Sequence, residues 1–187
     1  MGKREDIKKK RNERDYYPTV DPIAAKILVD FIGSPFGPYF IEPCAGNGRL
    51  AYDLVKLGTD SRYLNCSKMW DIEPQNLEVW QFDCTKTTKK DINSDVEYFI
   101  TNPPFQWSSL QPILDTLPLI RPTWLLLPAD VMHNLRMKPY MERCSTILSV
   151  GRMYWMEDSP IKGVDNFCWY EFQSSPMTTV FYNTRGN

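Results

Sequence analysis

No stretch of the chain is apolar for long enough to cross a bilayer. The most hydrophobic segments, 23–32 and 124–129, are short or interrupted by Lys26 and Asp30, whereas a spanning helix needs ~20 residues. Paired cysteines are missing too. The five cysteines stand at 44, 66, 84, 144 and 168, odd in number and without a Cys-x-x-Cys pair, so neither a disulfide framework nor a zinc site is indicated, and no signal peptide opens the chain. A reduced, cytosolic protein without metal is expected. Histidine is nearly absent, and the single one, His133, reads as a surface residue rather than a catalyst. A net charge of -1 hides an asymmetry, because residues 1–14 carry seven basic against three acidic side chains, a net of +4 that leaves about -5 for the rest. Such a basic tail is either a disordered, solvated arm or a phosphate-contacting segment.

What is present is a single domain's worth of alternating elements. At 187 residues with 42% hydrophobic content, the chain can bury one sizeable core. Asp21 and Pro22 read as the cap and first residue of a helix with Ile23, Ile27, Leu28 and Phe31 on one face, stopped at Gly33. Strands are expected at 39–41, 63–70, 79–82, 96–101, 124–127, 147–150 and 167–172. Helices are expected over 50–57 and 110–117 and through most of 131–144. Strands alternating with helices imply an α/β fold with a doubly wound, mainly parallel sheet over residues 15–187, whose ligands sit at the carboxyl ends of its strands.

Two motifs fall on that edge. The first is the loop Glu42-Pro43-Cys44-Ala45-Gly46-Asn47-Gly48, where glycines permit a tight turn and the following helix aims its N–H groups at a ligand. Alone it does not separate a nicotinamide dinucleotide from S-adenosylmethionine. Glu42 favours the latter, since a carboxylate at the strand end repels a pyrophosphate but can hold an ammonium. Asp71, followed by Ile72 and with Glu73 as fallback, ends the second strand and can accept from both ribose hydroxyls. Asp83, ending the third, can accept from an adenine amino group. The second motif is Asn102-Pro103-Pro104-Phe105. Proline ends the strand and keeps the preceding residue extended, leaving an amide, two prolines and a ring as a rigid vice for a planar amine.

On these residues, together with Tyr17-Pro18-Thr19, the sequence resembles the class I S-adenosylmethionine-dependent methyltransferases, specifically the DNA adenine amino-methyltransferases in their compact phage forms. The resemblance covers about residues 15–172, and its motif order is similar to the gamma arrangement. It implies a Rossmann-like methyltransferase domain, with Tyr17 and Thr19 closing over the methionine end of S-adenosylmethionine and Ala45, Gly46, Gly48 and Ile72 in its pocket. It also implies that Asn102, Pro103, Pro104 and Phe105 act on a flipped or single-stranded adenine of DNA. Only 82 residues follow Phe105, so a separate recognition domain is not expected. Trp107 is either a core ring or a wedge beside the base. Arg152, just before the 153–166 connection, and Lys162 within it are candidates for DNA contact. Cys44 follows a proline as the nucleophile of cytosine ring methylation does, but lies in the cofactor loop. RNA adenine, a protein glutamine amide, a non-catalytic cofactor-binding subunit and a nicotinamide-binding protein remain alternatives. Oligomeric state is open.

Overall fold

The computed structural model describes residues 18–157 and 159–184. The basic tail and Tyr17 lie outside them. In chain order the elements are α1 (Ile23–Ile32), β1 (Tyr39–Glu42), α2 (Arg49–Lys56), β2 (Asn65–Asp71), β3 (Trp80–Gln81), β4 (Val96–Thr101), α3 (Trp107–Thr116), β5 (Thr123–Pro128), α4 (Lys138–Met141), β6 (Cys144–Arg152), β7 (Asn166–Phe172) and β8 (Val180–Tyr182). The eight strands form one sheet in the order β3-β2-β1-β4-β5-β7-β6-β8. Pairing is parallel except around β7, which runs antiparallel to both β5 and β6.

Period-two alternation along the strands divides the core into two layers. Ile41, Phe99, Leu125, Leu127, Cys168 and Tyr170 face α3 and α4. Phe40, Ile100, Trp124, Leu126, Leu148 and Trp169 face α1 and α2. Helices cover both faces of the sheet, and so its central strands read as unbroken apolar runs. The buried stripe of α1 is Ala24, Ala25, Leu28 and Val29, while Ile23 and Phe31 stay about one-third exposed. This corrects the expected face. Two alanines let the helix sit close enough for Trp169 Nε1 to donate to the Ala24 carbonyl at 2.9 Å, whereas Phe31 packs at the rim against Trp124 and Tyr182. Asp21 does act at the helix start, its Oδ1 accepting from the Ile23 N–H at 3.1 Å.

The expected helix over 131–144 is not formed. That stretch holds two 3-10 turns, Val131–His133 and Leu135–Met137, and the four-residue α4. Asn134 is extended between the turns, with φ -74° and ψ 128°, and the apolar residues Val131, Met132, Leu135 and Met137 do not hold one helical face. Strand β8 was not expected either, its three residues being exposed.

The order of the sheet places the site. From β1 the chain moves outward to β2 and β3, then returns across β1 to β4 and β5. Crossovers therefore diverge between β1 and β4, leaving a crevice at their carboxyl ends. Glu42 ends β1, Asp71 ends β2, Asp83 follows β3 by two residues, and Asn102 follows β4 directly.

Candidate active site

The glycine loop starts where β1 ends. Gly46 and Gly48 have φ of +55° and +82°, left-handed values that cost a side-chain-bearing residue energy. Gly48 caps α2 in that conformation. Glu42 is buried, and its Oε2 accepts the Ala51 N–H at 2.9 Å, bonding the strand end to the first turn of the helix beyond. Burial pushes the Glu42 carboxyl well above the ordinary carboxylate range, the Ala51 N–H opposes this, and the Asp71 charge adds to it.

Asp71 ties the loop to β2. Its Oδ2 accepts the Gly46 N–H and its Oδ1 the Glu73 N–H, both at 2.7 Å. Each carboxylate oxygen retains a further lone-pair direction, so the group is oriented by the backbone yet keeps two acceptor positions. Asp83 is held by its own turn: Oδ1 accepts from the Thr85 hydroxyl at 2.6 Å and the Thr85 N–H at 3.1 Å. Its Oδ2 lies 3.3 Å from Lys86 Nζ. Chiefly through the Thr85 hydroxyl, its pKa falls below the usual value. Cys44 Sγ lies 4.0 Å from Cys84 Sγ. That contact and burial raise the Cys44 pKa, leaving a neutral thiol and a poor nucleophile.

After β4, Pro103 is buried while Asn102, Pro104 and Phe105 are half-buried. The Phe105 ring meets Phe167 at 5.8 Å and Trp155 edge-on at 6.4 Å and 82°.

A cavity of about 770 Å³ joins these parts, lined by Thr19, Glu42, Asp71, Asp83 and all four residues of Asn102-Pro103-Pro104-Phe105. Ala45 and Ile72 also line it, with Gly46 and Gly48 forming the turn beneath. Four carboxylates, Glu42, Asp71, Glu73 and Asp83, stand on its wall, and no Lys, Arg or His does among the described residues. The wall is therefore acidic, although Asp83 is paired with Lys86 and burial favours the protonated form of Glu42. Phe82, Thr85, Gln106, Ser108 and Ser109 are further wall residues absent from the sequence reading. The serines carried a usable signal, since they follow the Asn-Pro-Pro-Phe motif at the start of a helix. Phe82 and Thr85 carried only their adjacency to Asp83.

Three candidates stand apart from the wall. Trp107 packs against Tyr140 at 6.0 Å, with the Arg136 guanidinium over its face at 5.2 Å. Arg152 is exposed at the end of β6, and Lys162 lies 5.1 Å over the Tyr154 ring. Among the described residues, no group of three potential ligands could hold a metal ion, and no helix is long and apolar enough to cross a membrane.

No family model and no curated protein matches the chain in sequence. Solved structures do match its fold. One is the modification subunit of a provisionally assigned type I restriction enzyme from Vibrio vulnificus, at 11% identity and a TM-score of 0.56 over 92% of this chain. A provisionally assigned class I S-adenosylmethionine-dependent methyltransferase from Listeria monocytogenes gives 12% and 0.53 over 92% of this chain and 67% of its own. A third, from Agrobacterium tumefaciens and described as a predicted O-methyltransferase, gives 12% and 0.53 over 89% of this chain and 90% of its own. The likeness is one of fold. The chain spans about half of the restriction-enzyme subunit, 48% of its length.

Proposed function

We propose that the chain is an S-adenosylmethionine-dependent methyltransferase acting on the exocyclic N6 amine of adenine in DNA, of the compact, gamma-ordered phage type. The observation that carries this reading is the continuity of one cavity from the carboxylates at the ends of β1 and β2 to the Asn102-Pro103-Pro104-Phe105 segment. Its charge supports the cofactor. An acidic wall with no Lys, Arg or His among the described residues disfavours the pyrophosphate of a nicotinamide dinucleotide and favours a ligand carrying a sulfonium and an ammonium. A volume of about 770 Å³ falls within the range of small-molecule sites.

The donor set fits that ligand residue by residue. Asp71, fixed by two backbone N–H groups, keeps the acceptor positions that two ribose hydroxyls need. Asp83 and Ile72 are assigned to the adenine end. Glu42, Thr19, Ala45 and the turn at Gly46 and Gly48 are assigned to the methionine end, with Tyr17 as a further candidate there. When bound, S-adenosylmethionine supplies a methyl already activated on sulfur.

The residues of this chain act on the acceptor amine. Its lone pair is delocalised into the purine ring, which makes it a weak nucleophile. The Asn102 side-chain oxygen and the Pro103 carbonyl would accept its two hydrogens, which favours a tetrahedral nitrogen with its lone pair freed from the ring. With the methyl supplied by the bound cofactor, the amine would release one proton to solvent while Asn102 and Pro103 hold the nitrogen in place. Pro104 holds the segment extended, and Phe105 stacks on a base swung out of a duplex or presented by a single strand. Most of the acceleration is positional. Arg152, Lys162 and the basic tail are assigned to the DNA backbone and Trp107 to the edge of that contact. Fold likeness to a type I modification subunit agrees with DNA as acceptor.

Incubation with labelled S-adenosylmethionine and DNA, RNA or protein, followed by mass spectrometry of the product, tests the assignment. N6-methyladenine from DNA is expected. Label confined to cytosine, RNA or protein overturns the substrate assignment, and no binding of S-adenosylmethionine overturns the whole reading.

A further inference from the structure

The connection between β6 and β7 does not line the cavity, yet it is bonded to both halves of it. At its start the Tyr154 N–H donates to Asp21 Oδ2 at 3.0 Å. Asp21 is buried and lies two residues after Thr19, on the cavity wall. Further along, Glu157 Oε1 meets Arg49 Nη1 at 3.2 Å, on the first residue after the glycine loop. The neck is closed by the Gly163 N–H donating to the Met153 carbonyl at 2.8 Å. Between these ties stands Trp155, whose ring meets Phe167 at 4.7 Å and 61° and Phe105 at 6.4 Å and 82°. Gly163 leaves it room, because a Cβ there would fall 2.9 Å from the indole Cδ1.

Phe105 needs such support. It follows two prolines, precedes α3, and belongs to no helix or strand, so neighbouring rings set the plane it presents to the cavity. Edge-to-face contact with Trp155 and tilted contact with Phe167, two rings that also touch each other on the same side of Phe105, fix that plane. A fixed ring face is what a planar, π-rich base uses on entering. An aliphatic amide has no ring to align with it.

We infer that Trp155 is a positioning residue that sets the ring plane of Phe105 against which an entering base would stack. This rests on the methyltransferase reading above.

The test uses the full chain with Trp155→Ala, Trp155→Phe and Gly163→Ala, the last crowding the indole without removing it. Three quantities are read: S-adenosylmethionine affinity by calorimetry, single-turnover transfer against concentration of an adenine-containing single strand, and quenching of 2-aminopurine emission in the same strand. Trp155→Ala keeps cofactor affinity within about twofold, raises the half-saturating oligonucleotide concentration on the order of tenfold and loses the quenching. Gly163→Ala moves the same way, and Trp155→Phe restores most of both readouts. If the native chain methylates adenine and neither Trp155→Ala nor Gly163→Ala alters half-saturation or quenching, this inference falls and the methyltransferase reading stands. A cofactor affinity lost in step with oligonucleotide affinity makes Trp155 a general structural residue and overturns the inference. If the native chain methylates no nucleobase, both fall together.

Discussion

Replacing Asp71 by alanine removes a group that is at once part of the loop and part of the wall. In the folded chain its two oxygens accept the Gly46 and Glu73 N–H groups at 2.7 Å each. Hydrogen bonds to a charged acceptor contribute ~1.5–3 kcal/mol each when dry. Asp71 is half-buried, so water takes over part of both bonds, and a net loss of about 2 kcal/mol is the reasonable magnitude. For a domain of this size that lowers Tm by roughly 4–8 °C. Cofactor binding loses the further bonds to two hydroxyls, ~1–3 kcal/mol, or a weakening on the order of 5- to 150-fold. Asp71→Asn separates the two roles, since its oxygen keeps one backbone donor while its NH2 group is set against the other. It should bind the cofactor more weakly than the native chain and melt between the native chain and Asp71→Ala. Calorimetric titration with S-adenosylmethionine and thermal unfolding without it measure the two effects independently. A fall in Tm with cofactor affinity untouched makes Asp71 a loop anchor only, and unchanged Tm and affinity refute the argument outright.

Glu42→Gln isolates the cost of a buried charge. Burial holds the folded-state pKa of Glu42 above its ordinary value of 4.5, so the folded chain binds this proton more tightly than the unfolded chain, and stability falls as pH rises from about 4.5 toward the raised value. Glutamine can still accept the Ala51 N–H. The variant's advantage in Tm should therefore be absent at low pH and grow through that window, while its S-adenosylmethionine affinity at neutral pH drops; a Tm difference flat from pH 4 to 8 contradicts the burial argument. Cys44→Ala should transfer methyl groups within about threefold of the native rate, because the thiol is held neutral beside Cys84 and the proposed chemistry uses no covalent enzyme intermediate. Loss of activity in Cys44→Ala, accompanied by a covalent enzyme–DNA species in the native chain, would point to the cytosine mechanism instead.

The strands that hold the site were the most legible part of the chain. Val96–Thr101 stands where its apolar run and the following Asn-Pro step put it, and β1, β5 and β7 were recognisable because strands buried on both faces leave continuous apolar stretches. Their carboxyl ends then fell on Glu42 and Asn102 with no knowledge of the sheet order. Exposed or irregular elements were not legible. Strand β8 is exposed throughout, and the 131–144 segment is set by packing of Met137 and Tyr140 under α3 rather than by local period. Within the site, residue types were readable and their mutual bonds were not. That Asp71 holds Gly46, and that Tyr154 reaches Asp21 across 133 positions, follow only from the closure of the sheet. That no Lys, Arg or His among the described residues lines the wall is likewise collective, since Lys86 and Arg49 are close in sequence to wall residues without lining it.

The most direct test of the central claim is single-turnover methyl transfer by Asn102→Ala, with Phe105→Ala alongside. If the Asn102 oxygen accepts a hydrogen from the reacting amine, its loss damages chemistry and spares cofactor binding. Asn102→Ala is then predicted to bind S-adenosylmethionine like the native chain and to methylate an adenine-containing oligonucleotide slower by a factor on the order of 100 to 1000. Phe105→Ala should lose both base capture and turnover, by roughly 1–3 kcal/mol of stacking. Methylated adenine formed as fast by Asn102→Ala as by the native chain contradicts the account.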